Sequence, residues 1–189
     1  MKLQCATCRV QSCRQPSGGS DPPSFCPVVG APDVLARART VYETSPATRE
    51  LAAAAARVEA AGYCRWPRVE EVMEFARRLG TARLGIAACV GLLREAALLQ
   101  EILEANGFEV HSVCCKVGSI PKEAIGLADG EKIRPGRFEA LCNPVAQAEL
   151  LNEAGTGLNV VVGLCVGHDS LFFKHAEALT TTLVAKDRA

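Results

Sequence analysis

The sequence carries no excess of charge of either sign, since 21 Lys and Arg residues balance 21 Asp and Glu residues. No dense basic stripe with interleaved aromatics occurs, so the electrostatic footprint of a nucleic-acid binder is missing. Arg65, Arg68, Arg77, Arg78 and Arg83 form only a modest basic stretch, which reads as the solvated face of a helix. No apolar run approaches the roughly 20 residues that a membrane-spanning helix needs, because Gly, Arg or His interrupts the longest ones. The first residues, Met1 to Arg14, are polar and already hold three cysteines, unlike the charged and then apolar start of a secretory leader. Gly85, Gly91, Gly118 and Gly163 compose neither a G-x-G-x-x-G turn nor a P-loop, so nucleotide binding has no motif behind it. No internal repeat is evident. These exclusions predict a soluble cytoplasmic protein whose partner is a small molecule or a redox protein, with no nucleic acid and no membrane, and they leave homo-oligomerisation open.

What the chain does have is cysteine: ten in 189 residues. A chain of this length, 49% hydrophobic, can bury a core without crosslinks. In a reducing compartment its thiols are more plausibly metal ligands or reactive groups than disulfides.

The ten fall into two sets and a remainder. Cys5, Cys8, Cys13 and Cys26 lie within residues 1–32, together with five prolines, a Gly-Gly-Ser stretch and very few large apolar side chains. Such a segment cannot build a core and is ordered only by packing on the rest or by an ion whose coordination energy becomes folding energy. Cys5-x2-Cys8 is the strong element, because two thiolates on one turn can clasp one ion, and Cys13 and Cys26 complete four soft ligands. Four thiolates suit zinc or a [4Fe-4S] cluster equally. Pro27 after Cys26 is reminiscent of a ferredoxin ligand run, but the spacing as a whole matches neither ferredoxin pattern.

Residues 33–189 read as a helical lead-in and an α/β unit. Ser45 and Pro46 predict a helix closed by Gly62, and Pro67 opens a second one ended by Gly80, with Val69, Val72, Met73 and Ala76 on one face. The period then changes. Residues 83–89 predict a strand, followed by a helix to Asn106-Gly107, a strand over 108–115, a helix from Asn143-Pro144 to Gly155, a strand over 158–165, a short helix capped by Asp169 or Ser170, and a strand over 180–185. The strand–helix–strand alternation predicts a Rossmann-like layered α/β sheet, mostly parallel, preceded by two helices and the cysteine-rich knuckle. The long connection between Cys115 and Cys142 reads as partly helical near Lys122 to Leu127, and connections of this length are often functional. The chain stops soon after its last strand, which points to a longer natural C-terminus.

Cys89, Cys115, Cys142 and Cys165 each stand where a predicted strand stops or a predicted helix starts. Open α/β sheets keep their chemistry at that edge. Thiols at helix N-termini face unpaired N–H groups, which lower the thiol pKa. Cys114 and Cys115 point to opposite faces as neighbours on a strand, and Cys115 is the better candidate for the site. Cys64 reads as a small buried hydrophobe. His168, three residues after Cys165 and followed by Asp169, is spaced to ligate with it or to act as its base. His111 and His175 read as structural.

Four motifs carry a resemblance: Cys-Ala-Thr-Cys at 5–8, Cys-Cys-Lys-Val-Gly at 114–118, Leu-Cys-Asn-Pro at 141–144, and Gly-Leu-Cys-Val-Gly-His-Asp-Ser at 163–170. Together they closely resemble an uncharacterised prokaryotic family, common among anaerobes, that is catalogued as a domain of unknown function and usually called cysteine-rich metal-binding proteins. The resemblance implies ligation by Cys5, Cys8, Cys13 and Cys26, and extends to the later motif cysteines. Two readings follow. In the first the protein carries one or two Fe-S clusters, the second held by Cys89, Cys115, Cys142 and Cys165, with a redox or electron-transfer role. In the second it is a thiol-dependent enzyme with a zinc-stabilised tail, in which Cys142 or Cys165 attacks a substrate and His168 moves protons. A structural zinc-binding module is a third possibility.

Overall fold

The two most continuous apolar runs of the α/β segment have no polar face to offer to water, and both become central strands. Arg83–Ala88 (β1) is buried from Leu84 onward and Leu158–Val162 (β3) along its whole length. Glu109–Cys114 (β2) and Leu179–Val184 (β4) are half covered, as edge strands should be. The computed structural model describes residues 2–16 and 20–188 and orders the strands β2-β1-β3-β4, all parallel. The α/β expectation is borne out. The Gly-Gly step at 18–19 lies outside the described residues.

Among the described residues seven α-helices accompany the sheet: Pro27–Gly30 (α1), Pro32–Thr44 (α2), Pro46–Gly62 (α3), Arg68–Arg78 (α4), Leu93–Ala105 (α5), Pro144–Glu153 (α6) and His168–His175 (α7). Parallel strands need crossovers, and α5, α6 and α7 supply them in turn. Alternation along β1 sends Leu84, Ile86 and Ala88 to one core, where they meet Val72, Met73 and Ala76 of α4 and Ala96, Leu99 and Leu103 of α5. Ala87 turns to the other core, with Ala148 and Leu151 of α6 and Phe172 of α7. The sheet is therefore covered on both faces. Because the helix after β1 and the helix after β3 lie on opposite faces, the crevice between the carboxyl ends of these neighbouring strands is the topological switch point.

The chain divides into two compact units, Met1–Ala56 and Arg57–Ala189, with α3 running through the division. In the first, no described residue before Ala54 is buried. Cys5–Thr7 and Ser12–Arg14 form single 3-10 turns. Sequence periodicity passes over α2, because Val34, Leu35, Val41 and Tyr42 are exposed and no buried stripe announces it. Local terms hold it instead: Pro32 at its start, Asp33 in its first turn, and an Arg39–Glu43 pair at 2.6 Å one turn apart, worth a few tenths of a kcal/mol. The predicted cap of α3 is present, with Thr48 N–H donating to Ser45 Oγ at 3.2 Å.

Cys64 departs from expectation. It is exposed, with φ +55°, in the turn that reverses the chain after Gly62, while Trp66 folds back onto Gly62. The predicted start of the last helix also shifts: α7 begins at His168 after Gly167 at φ +83°, ahead of Asp169. Among the described residues no helix is long and apolar enough to cross a membrane.

Candidate functional site

Cys89 follows β1 directly, and its N–H completes the ladder by donating to Val162 O of β3. Cys115 follows β2 in the same way, its N–H donating to Ala88 O at 2.8 Å. Both thiols are buried at the carboxyl edge. Val90 N–H donates to Cys115 Sγ at 3.3 Å and Gly91 N–H to Cys89 Sγ at 3.5 Å, so the turn after β1 points backbone donors at both sulfurs.

Cys142 reaches the same place by a different route. After β2 the chain makes its long excursion through the 3-10 turns Lys122–Ile125 and Asp129–Glu131, and then returns alongside its own start. Pro121 and Ala140 form an antiparallel bridge, Leu141 N–H donates to Ile120 O, and Asn143 N–H donates to Cys115 O at 2.7 Å. Asn143 caps α6 through Ala146 N–H at 3.0 Å. Cys142, one residue before that cap, is thereby laid against the buried cluster that holds Cys115. The excursion is itself anchored by Lys132, a buried cation that bonds Glu123, Asp129 and Arg137 O.

The two thiols are shifted in opposite directions. Cys142 is pulled down to about 5, first by the hydrogen bond from Cys115, and further by the charges of Lys116 and His168, against the opposing effect of burial. Cys115 is pushed up by the same hydrogen bond and by burial. The half-buried Cys142 is therefore the more acidic of the two thiols and the buried Cys115 the less acidic. At Cys89 burial works upward, but the Lys186 ammonium, Gly91 N–H and Cys115 outweigh it and leave the thiol below its ordinary value.

Cys165 sits beyond β3, after Gly163. That glycine adopts φ +63°, and a Cβ there would fall 2.0 Å from Leu92 Cδ1. The Arg188 guanidinium bonds Cys165 Sγ, and the Lys186 ammonium acts on Cys89 and Cys165 alike. His168 opens α7, and its Nδ1 is buried with no hydrogen-bond partner. Beneath the cluster, Gln147 is fully buried and ties the strand ends together.

Three of the four sheet-edge cysteines, Cys89, Cys115 and Cys142, therefore share one packed cluster, and the Lys186 ammonium that bonds Cys89 also acts on Cys165. Cys114, at the last position of β2, lies in register with Ala88. In the N-terminal unit Cys5 opens one 3-10 turn with Cys8 N–H donating to Cys5 O, Cys13 lies in the next turn, and Cys26 caps α1. Among the described residues no group of three or more His, Cys, Asp or Glu side chains is arranged to hold a metal ion. Sequence reasoning missed Lys116, Lys186, Arg188 and Gln147. The first two were findable, since Lys116 follows Cys115 and Lys186 follows β4 at the same edge.

This architecture defines a class: a three-layer α/β protein with a thiol cluster at the switch point of an all-parallel sheet. Within it, the chain belongs to the family described as "Protein of unknown function (DUF1847)", which matches residues 26–183 and so takes in all four sheet-edge cysteines. It is 48% identical over 139 residues to "Uncharacterized protein MJ0455" of Methanocaldococcus jannaschii, a match covering 74% of this chain and 70% of that protein. The expected uncharacterised prokaryotic family is borne out. No solved structure matches the chain.

Proposed function

We propose that the carboxyl edge of the sheet is a thiol-dependent reactive centre in which Cys142 is the attacking sulfur. The observation that carries this reading is the packing of half-buried Cys142 against the cluster of buried Cys115, fixed by Asn143 N–H donating to Cys115 O, near the Lys116 ammonium and at the start of α6. A thiol so placed is favoured as thiolate by its Cys115 neighbour and by the Lys116 cation. His168, with its unpartnered Nδ1, stands within electrostatic reach to move protons. Limiting iodoacetamide at mildly acidic pH, followed by peptide mapping, tests the idea. Cys142 should be labelled before the exposed Cys5, Cys13 and Cys64. Labelling that follows exposure alone would sink it.

A second reading rests on the N-terminal set. Cys5, Cys8, Cys13 and Cys26 offer four soft donors, of the type that zinc or a [4Fe-4S] cluster accepts. Cys5 and Cys8 share one tight turn, as a clasp requires. Without a core in residues 2–32, an ion would have to draw the four together, and binding would then be coupled to folding. Iron, sulfide and zinc analysis after anaerobic purification, repeated on Cys5→Ser, decides it: metal lost in the variant supports a ligand role, and equal metal content removes it. Iron that depends on Cys142 would move the cluster reading to the sheet edge and replace the first proposal.

A further inference from the structure

Cys115 and Cys142 differ in one respect that a lone nucleophile does not need. The attacking sulfur is half-buried at the surface, and a second, fully covered thiol belongs to the same packed cluster at the adjoining strand end. The backbone holds the two positions together, through Asn143 N–H on Cys115 O and the Pro121–Ala140 bridge. A reachable sulfur backed by a protected one is the arrangement that thiol–disulfide exchange uses, because the first captures the substrate and the second resolves the adduct before it escapes.

The surroundings add a charge preference. Lys186 on Cys89, Arg188 on Cys165 and Lys116 beside Cys142 place three cations around the sulfurs. Cations gathered at a cleft concentrate anionic substrates.

We propose that Cys142 and Cys115 form a redox-active dithiol pair that exchanges with small carboxylate-bearing disulfides, Cys142 attacking and Cys115 resolving. This rests on the reading of Cys142 as the attacking sulfur. The Cys142 thiolate attacks one sulfur of RS–SR, the S–S bond breaks, RS⁻ departs and Cys142–S–SR forms. Cys115 then gives its proton to the departing thiolate and attacks Cys142 Sγ, which releases the second RS⁻. The protein dithiol loses two electrons, and the disulfide takes them up as one thiol, carrying the Cys115 proton, and one thiolate, which is protonated by solvent.

Oxidised glutathione serves as the anionic probe, added to the full chain under anaerobic conditions, with free thiols then blocked by N-ethylmaleimide and peptides mapped without reduction. The expected product is a Cys115–Cys142 cross-link with two glutathione thiols released for each one formed. In Cys115→Ser the reaction should stop at a single glutathione adduct on Cys142. A stable adduct on wild-type Cys142, with Cys115 still open to N-ethylmaleimide, would overturn the pair while leaving the attacking sulfur intact. An unreacted Cys142 would overturn both. Cystamine, a cationic disulfide, gives the charge comparison: the rate ratio favouring glutathione should fall about tenfold in the Lys186→Gln, Arg188→Gln double variant. An unchanged ratio would remove the anionic substrate class.

Discussion

Gln147 Nε2 donates to Val113 O at 2.7 Å and, through the same amide, to Ala88 O at 3.2 Å. One fully buried side chain of α6 therefore clamps the carboxyl ends of β1 and β2, beneath the residues that carry Cys89 and Cys115. Gln147→Leu keeps the volume and removes the donor, and should cost about 1–3 kcal/mol, as expected for buried acceptors that lose a partner. Gln147→Glu should cost more, because it directs a carboxylate at two carbonyl oxygens in a water-free site. Urea denaturation midpoints rank the two, and a Glu variant as stable as the Leu variant would refute the clamp.

Gly163 predicts a clash that can be relieved. Its φ of +63° strains any side chain, and Leu92 occupies the space where a Cβ would go. Gly163→Ala should therefore lower stability by more than about 1 kcal/mol. Adding Leu92→Ala should recover the steric part but not the backbone part. Full recovery in the double variant would show that strain plays no role there.

Phe172 is the largest fully buried side chain and fastens α7, and with it His168, to the second core. Phe172→Ala should cost about 3–5 kcal/mol. Thermal unfolding measures the loss, and a shift comparable to that of an exposed-site control such as Leu150→Ala would contradict the assigned packing.

The excursion between β2 and α6 should loosen in acid. Lys132 holds the Asp129 carboxyl below its usual range, helped by Gly136 N–H, and holds the Glu123 carboxyl down in the same way. Groups whose folded-state pKa is depressed stabilise above the unfolded value, near pH 4, and lose that contribution as pH falls through the lower folded value. Lys132, raised first by Asp129 and then by Glu123, contributes below its unfolded value near pH 10 and loses it above. Hydrogen exchange in residues 122–139 should accelerate at both extremes. Lys132→Met should already exchange fast at neutral pH and show no further acid step.

The strands and crossover helices were legible because their signals are local and redundant. An apolar run bounded by glycines, then a helix with Pro at its start, leaves few alternatives, so β1, β3, α5 and α6 fall close to their expected bounds. α2 was not legible, because a helix without a buried face leaves no periodic trace. Cys64 was misplaced because it lies in the turn after α3, in the left-handed region and exposed, and residue type alone does not record where a turn leaves a side chain.

By itself the sequence determined that the chain folds as an α/β sheet and that four cysteines fall at strand ends or helix starts. Both follow from hydrophobic period and from the few residues that can begin or end an element. Only the tertiary structure decided which thiols meet. Cys115 and Cys142 are separated by a long excursion whose return is set by the Pro121–Ala140 bridge and the Asn143–Cys115 hydrogen bond. Lys186 and Arg188 join the site from beyond the last strand, because parallel pairing brings the carboxyl end of β4 to the same edge. Contacts between residues so far apart in the chain have no local signature, and it is these contacts that lower the pKa of Cys142.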